Sequence, residues 1–123
     1  MPVKTTESLE DYLETILILS KRLPVVRAID IATETGYKKS SVSVAMKNLR
    51  EKNYITVTES GFITFTKEGL KIAESVYERH VFFTEWLVSL GVPKHIAEED
   101  SCRIEHILSP ESYKAIKKSI TDK

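Results

Sequence analysis

Three side chains with metal-binding chemistry stand close together near the carboxyl end of the sequence. Cys102, Glu105 and His106 are spaced i, i+3 and i+4, so a helix would place them on one face within reach of a single ion. Thiolate, carboxylate and imidazole groups are all established ligands of divalent metals. The spacing therefore predicts part of a cation site, although a single cysteine is also a common small core residue.

Two further groups of similar chemistry lie elsewhere in the chain. His80 falls on the preceding predicted helix, and the short turn at 91–94 makes the two helices antiparallel neighbours. Asp11 and Glu14 form an i, i+3 carboxylate pair, which we expect on the polar side of the first helix. Each residue alone is also typical of a structural histidine or a solvated helix face. The complete candidate metal site is Asp11, Glu14, His80, Cys102, Glu105 and His106.

Charged residues are unevenly distributed, although the chain as a whole is neutral. Its 123 residues include 18 Lys or Arg and 18 Asp or Glu. Residues 21–71 carry a net charge of +5, whereas residues 1–20 and 72–123 carry −3 and −2. A basic segment between acidic flanks is typical of a nucleic-acid surface beside a cation-binding region. Chance clustering on solvated helices is the alternative interpretation.

The elements that must position these residues follow from the hydrophobic pattern. Apolar side chains at helical spacing predict a first helix at 6–21, a short helix that ends at Gly36, and a third helix within 38–53. The period then changes. Two β-branched and aromatic runs, 55–58 and 62–65, flank a Glu-Ser-Gly turn and predict a hairpin.

Three more helices are predicted after the hairpin. Thr66 is expected to cap a long helix that ends near Gly91, residues 95–108 form the next helix, and Ser109 with Pro110 opens the last one. The side chains expected to face inward from the 95–108 helix are Ile96, Ile104 and Ile107.

This order of elements predicts a mainly α protein with a small β-hairpin. Two short helices joined by a Gly-containing turn and followed by a two-stranded wing form the winged helix-turn-helix arrangement, whose second helix enters the major groove. We place a winged helix-turn-helix domain at 1–70 and a helical domain at 71–123, linked by the long helix from about residue 67.

The outer side of the third helix carries the residues expected to contact DNA. Serine hydroxyls bond base edges or phosphates, and Val44 suits a thymine methyl group. Lysines just before the helix favour phosphate together with the helix dipole. Ser40 or a neighbour is expected to cap this helix. Solvated lysines and capping serines are the alternative interpretation. The predicted DNA-binding residues are Arg27, Lys38, Lys39, Ser40, Ser41, Ser43, Val44 and Lys47.

These motifs, in this order, resemble the diphtheria toxin repressor family of iron- and manganese-dependent transcriptional regulators. The segments ESLEDYLETI, YERH and CRIEHILS enclose the basic helix-turn-helix and the wing, and the resemblance extends over residues 8–109. It implies a homodimer that binds a palindromic operator on double-stranded DNA. It also implies that residues 71–123 are the dimerisation domain, and that uptake genes are repressed when metal is plentiful.

The resemblance also implies roles for single residues. Asp11 and Glu14 match first-helix carboxylates of the manganese branch, and His80 and the Glu105-His106 pair match positions shared by both branches. A cation that bridges these two sets would fix the orientation of one half relative to the other. We expect no counterpart of the third, SH3-like domain of the longer members, as in the shorter manganese regulators.

Cys102 makes the chain a hybrid of the two branches. The manganese branch carries Glu at this place and the iron branch carries Cys, whereas the iron branch has Met where Asp11 stands. The carboxylates suit Mn²⁺ or Fe²⁺, which are the expected cofactors, and the thiolate also admits Co²⁺ or Zn²⁺. The positions that form the iron branch's ancillary metal site are occupied here by Thr84 and Glu98, which predicts that this second site is weakened.

Other classes of function are weighed against this one. A winged helix regulator of a non-metal signal would make the metal-type residues incidental. An enzyme with Cys102 as nucleophile and His106 as base lacks a Gly-rich oxyanion element, so we expect no enzymatic activity and no organic substrate. A plain metal-binding module is disfavoured by the basic segment. No apolar run suits a membrane span, and a lone cysteine without a leader-like N-terminus favours the cytoplasm.

Overall fold

The computed structural model describes residues 2–121, with side chains described from residue 8 onward. Within this part the chain forms six helices and one hairpin, so the predicted fold class is confirmed. The elements are α1 Pro2–Arg22, α2 Ala28–Thr35, α3 Lys39–Glu51, β1 Ile55–Val57, β2 Ile63–Phe65, α4 Lys67–Ser89, α5 Lys94–Ile107 and α6 Pro110–Thr121. None of these helices is long and apolar enough to cross a membrane. The chain forms an N-terminal unit that runs to Ser75 and a C-terminal unit that starts at Val76.

The helix–turn–helix is defined by local hydrogen bonds at both ends of α2. At its start, the Arg27 backbone N–H donates to Asp30 Oδ2 at 2.8 Å. At its end, Gly36 has φ 78° and its N–H donates to the Ala32 carbonyl at 2.9 Å. Because a glycine adopts this left-handed conformation without the conformational cost that other residues incur, the chain turns sharply toward α3. Gly36 therefore ends α2 as predicted.

Helix α3 begins slightly earlier than a serine cap would require. The N-cap position is Lys38, whose side chain has no acceptor for the first N–H groups of the helix. Ser40 already lies within the first turn, so the predicted cap at Ser40 or a neighbour is wrong. The inner face agrees with the predicted periodicity. Its buried side chains are Val42, Ala45, Met46 and Leu49.

The wing is a short antiparallel pair of strands. Ile55 and Ile63 point inward and are buried, while the hydroxyls of Thr56 and Thr64 lie 2.6 Å apart on the outer face. The Ile63 backbone N–H donates to the Val26 carbonyl at 2.8 Å. This bond attaches the wing to the segment that leads into α2, so the wing and the helix–turn–helix belong to one structure.

Capping residues set the starts of two of the later helices. The Gly69 N–H donates to Thr66 Oγ1 at 3.1 Å at the beginning of α4. The Ser112 N–H donates to Ser109 Oγ at 3.1 Å, and α6 begins at Pro110. Both starts agree with the sequence predictions, because they depend on residue types within a single turn.

Helix α5 buries small and polar side chains instead of its isoleucines. Ile96 and Ile107 are 41% and 68% exposed, whereas Ala97, Ser101 and Glu105 are all 0% exposed. The inward orientation predicted for these two isoleucines is therefore wrong. The buried stripe repeats every four residues, so its small members let α5 pack closely and turn the isoleucines toward the outside. This stripe carries Glu105 into the interior.

Candidate metal centre and nucleic-acid interface

Glu105 lies between two histidines in the C-terminal unit. His80 Nδ1, on α4, is 3.0 Å from Glu105 Oε2. His106 Nε2, on α5, is 3.3 Å from Glu105 Oε1. The Glu105 side chain is 0% exposed. A fully buried carboxylate between two imidazole groups is an arrangement that suits a cation site, because burial of an ionised group is costly without charge compensation.

Cys102 adds a thiol to the same group of residues. Its side chain is exposed, and Cys102, Glu105 and His106 each offer a ligand atom within 4.8 Å of the others. The structure thus brings these three residues together on α5, as their spacing predicts. We call Cys102, Glu105, His106 and the neighbouring His80 the C-terminal half-site.

The chemistry of the C-terminal half-site fits a divalent transition metal. Glu105 Oε1 is buried and accepts no well-aligned hydrogen bond from any described residue. An oxygen in this state has lost water without gaining a donor, which is unfavourable unless a cation approaches it. Imidazole nitrogen, carboxylate oxygen and thiolate sulfur together suit Mn²⁺, Fe²⁺, Co²⁺ or Zn²⁺.

The two first-helix carboxylates lie on α1 in the N-terminal unit. Asp11 is half-buried, and Glu14 is only 5% exposed. The prediction that both occupy the polar side of this helix is therefore wrong for Glu14. The reason is that α1 is buried around much of its circumference, where Tyr12 and Leu13 are also buried. A buried carboxylate at Glu14 is consistent with a role in holding a cation.

Asp11 has a neighbour in the turn of the helix–turn–helix that sequence spacing does not reveal. The hydroxyl of Tyr37 lies 3.5 Å from Asp11 Oδ2, at the long limit of a hydrogen bond. The Tyr37 ring packs edge-to-face on Tyr12, with centroids 5.7 Å apart. Burial raises the pKa of Tyr12, and the nearby Tyr37 and Asp11 raise it further.

A second residue that the spacing does not reveal is Arg79, directly before His80. Its Nη1 donates to the carbonyl oxygens of Glu105 at 3.1 Å and Leu108 at 3.0 Å. These partners lie 26 and 29 residues further along the chain. In the sequence, the only signal for Arg79 is its position next to His80, a candidate ligand.

The candidate DNA surface is solvent-exposed in the structure. Val44 is 61% exposed, so its methyl groups are accessible to a ligand at this surface. Arg27 stands at the start of α2, and its guanidinium carbon lies 4.8 Å from the centroid of the Phe62 ring at the wing. This contact orients the Arg27 charge. All the predicted contact residues are exposed, namely Arg27, Lys38, Lys39, Ser40, Ser41, Ser43, Val44 and Lys47.

Models of known protein families match both halves of the chain. The N-terminal DNA binding domain of iron dependent repressors matches residues 4–61. The metal binding and dimerisation domain of the same proteins matches residues 66–122. The first match contains the helix–turn–helix, and the second contains the C-terminal half-site.

Individual proteins give the same assignment. An uncharacterized HTH-type transcriptional regulator of Methanocaldococcus jannaschii is 30% identical over 114 residues, which are 91% of each chain. The transcriptional regulator MntR of Escherichia coli O157:H7 is 31% identical over 111 residues, which are 90% of this chain and 72% of that protein. The structure of the manganese regulator SloR superposes on 92% of this chain with a TM-score of 0.81 and 24% identity, which shows a common fold. This chain spans about half the length of SloR, 53% of that chain.

Proposed function

The chain belongs to the diphtheria toxin repressor family of iron- and manganese-dependent transcriptional regulators, and from this premise we propose that its DNA binding depends on Mn²⁺ or Fe²⁺. The observation that carries the proposal is the buried Glu105 carboxylate between His80 and His106. A bound divalent cation would supply the positive charge that this carboxylate lacks. The Cys102 thiol extends the same donor set.

We further propose that Asp11 and Glu14 complete the site. Both carboxylates are one helical turn apart on α1, and the burial of Glu14 supports a partner of opposite charge. The resemblance of Asp11 and Glu14 to the first-helix carboxylates of the manganese branch supports the same assignment. In this proposal α1 contributes two oxygen ligands and the C-terminal half-site contributes the others.

This ligand set would connect cation binding to DNA binding. Residues from both units would hold one ion, and the orientation of each recognition helix would then be fixed. In a homodimer, two recognition helices must lie about 34 Å apart to read a palindrome. Binding of the cation and of DNA would therefore be linked, with a coupling free energy on the order of 1–3 kcal/mol in either direction.

The exposed residues of α3 and Arg27 would form the contact with double-stranded DNA. Lys38 and Lys39 would neutralise phosphates at the start of the helix, and Val44 would contact a base. The matched relatives are transcriptional regulators. We infer that this chain likewise works as a regulator without enzymatic activity, in the cytoplasm, where its DNA target lies.

The test is DNA binding measured by fluorescence anisotropy. A palindromic promoter fragment is titrated with protein in Mn²⁺, in Fe²⁺ under anaerobic conditions and in EDTA, at one salt concentration. We expect tight binding with one of the two ions and weak binding in EDTA.

Two variants make the test specific to the site. Glu105→Gln keeps the shape of the side chain but removes its charge, and it should abolish the effect of the cation. Glu99→Gln makes the same change on the exposed side of α5 and should leave the effect intact. Equal DNA affinity of the wild-type protein with metal and with EDTA would contradict the proposal and favour a regulator of a non-metal signal.

A further inference from the structure

Arg79 links the long helix α4 to the carboxyl end of α5. Its Nη1 donates to the Glu105 carbonyl at 3.1 Å and to the Leu108 carbonyl at 3.0 Å. Helix α5 ends at Ile107. One guanidinium nitrogen therefore binds a backbone oxygen in the last turn of this helix and another just beyond its end.

The last turn of a helix has a specific need for such a donor. Its final carbonyl groups have no partner within the helix, and they carry the negative end of the helix dipole, which attracts cations. Arg79 satisfies both requirements from a different helix. Because Glu105 and His106 belong to this turn, the contact limits how far their side chains can move.

The position of Arg79 in the sequence gives this contact a second consequence. The next residue is His80, whose ring contacts the Glu105 carboxylate. Two adjacent residues of α4 thus bind the backbone and the side chain of Glu105. The distance between the imidazole of His80 and the ligating groups of α5 is fixed by these two contacts together.

Helix α6 holds the Arg79 side chain in place. The guanidinium carbon of Arg79 lies 5.0 Å from the centroid of the Tyr113 ring, which is favourable for a cation over an aromatic face. The Tyr113 hydroxyl donates to Glu78 Oε2 at 2.8 Å, and Lys117 Nζ is 3.4 Å from the same oxygen. These contacts restrict the ring on which the guanidinium lies.

We propose that Arg79 is a positioning residue for the cation site, which sets the geometry of the C-terminal half-site without contacting the ion. This inference rests on the proposed function, since it assigns a role toward the cation that the C-terminal half-site would bind. Removal of residues that orient metal ligands typically weakens metal affinity by about 10- to 100-fold. Arg79 belongs to this class because it binds the backbone of a ligating residue.

The test is Co²⁺ binding to the full chain, measured by chelator competition and by visible absorption. The absorption reports the geometry around the ion, which a purely structural role of Arg79 would leave unchanged. Arg79→Met keeps the length of the aliphatic stem and removes the donors, and Arg79→Lys keeps a cation without the planar fork. Arg103→Met removes a guanidinium from the exposed side of α5 and is the matched control.

We expect the affinity of R79M for Co²⁺ to fall about 10- to 100-fold, with a changed absorption spectrum and an unchanged far-ultraviolet circular dichroism spectrum. R79K should lie between R79M and the wild type, and R103M should match the wild type. Wild-type affinity and spectrum in R79M would overturn the inference. If R79M does not fold, the test rests on R79K. Wild-type Co²⁺ affinity and a wild-type absorption spectrum in R79K would then overturn the inference. Absence of Co²⁺ binding by the wild-type protein would instead contradict the proposed function itself.

Discussion

At the scale of single residues, the candidate metal centre depends on a carboxylate placed where it has little water. Glu105 is buried between two imidazole groups, and one of its oxygens accepts no well-aligned hydrogen bond from the described residues. The neighbouring Cys102 is exposed and chemically softer. We propose that Glu105 supplies the buried charge of the C-terminal half-site, whereas Cys102 decides which ion this half-site prefers.

Cys102→Glu tests this division of roles. The variant replaces the sulfur donor at this position by carboxylate oxygen, which favours harder ions. We expect the ratio of Mn²⁺ affinity to Zn²⁺ affinity to rise about tenfold or more, equivalent to about 1.4 kcal/mol. The measurement is competition between the two ions monitored by Mn²⁺ electron paramagnetic resonance. An unchanged ratio would show that Cys102 does not bind the ion.

At the scale of elements, the turn between α2 and α3 depends on the backbone of one residue. Gly36 has φ 78°, and a Cβ built at this position meets no atom within 4 Å. The cost of a side chain here is therefore conformational and not a steric clash with neighbours.

Gly36→Ala should lower the free energy of unfolding by about 1–2 kcal/mol, the cost of a left-handed conformation for an L-residue. Gly36→Asn should lower it less, because asparagine tolerates this conformation better. Urea unfolding of both variants provides the comparison. Equal stability of wild type and G36A would mean that the turn relaxes to another conformation.

Most of the elements could be predicted from the sequence because they depend on local rules. The end of α2 at Gly36 and the start of α4 at Thr66 follow from residue types within one turn. The grouping of Cys102 with Glu105 follows from the helical repeat alone. The failures at Ile107 and Glu14 concern burial, because the face that a helix buries is decided by its packing partners and not only by the hydrophobicity of its residues. The serine cap predicted for α3 failed for a local reason, because the N-cap position is Lys38.

The contact of α6 with α4 has a consequence for stability at alkaline pH. Burial of Tyr113, together with the hydrogen bond from its hydroxyl to Glu78, raises the pKa of this tyrosine above the ordinary value of 10.0. The unfolded chain ionises its tyrosine near that value, while the folded protein keeps the proton. The stabilising contribution of the hydroxyl is therefore complete below pH 10 and decreases as the pH rises further.

Tyr113→Phe removes this contribution but keeps the ring. At pH 8 we expect the variant to be less stable by about 1 kcal/mol, the typical contribution of a hydrogen bond. The difference from the wild type should shrink between pH 10 and pH 11.5. Urea unfolding of both proteins over this range measures it, and a difference that stays constant with pH would contradict the assignment.

Along the whole chain, basic and acidic residues are segregated into segments that suit two different ligands, DNA and a cation. The segment 21–71 has a net charge of +5 and suits DNA, whereas residues 1–20 and 72–123 are net negative and suit a cation. A cation held by ligands from both acidic segments would make DNA binding depend on cation binding. In the proposed site, Asp11 and Glu14 of the first acidic segment and Glu105 of the second would hold the cation.

Asp11→Asn tests whether α1 takes part in this connection. The variant removes one negative charge from the proposed ligands of the N-terminal unit and leaves all four residues of the C-terminal half-site in place. Metal should still bind, with lower affinity, but saturating Mn²⁺ should enhance DNA affinity less than in the wild type, where a coupling of 1–3 kcal/mol corresponds to about 5- to 150-fold.

Glu10→Gln neutralises the adjacent residue of α1 and is the control, for which we expect the wild-type enhancement. Because linkage is reciprocal, DNA must raise the affinity for Mn²⁺ by the same factor in each protein, and this second measurement checks the first. A full enhancement in D11N would show that the C-terminal half-site acts without Asp11. DNA binding by D11N that is equally weak with and without metal would place the whole connection at this carboxylate.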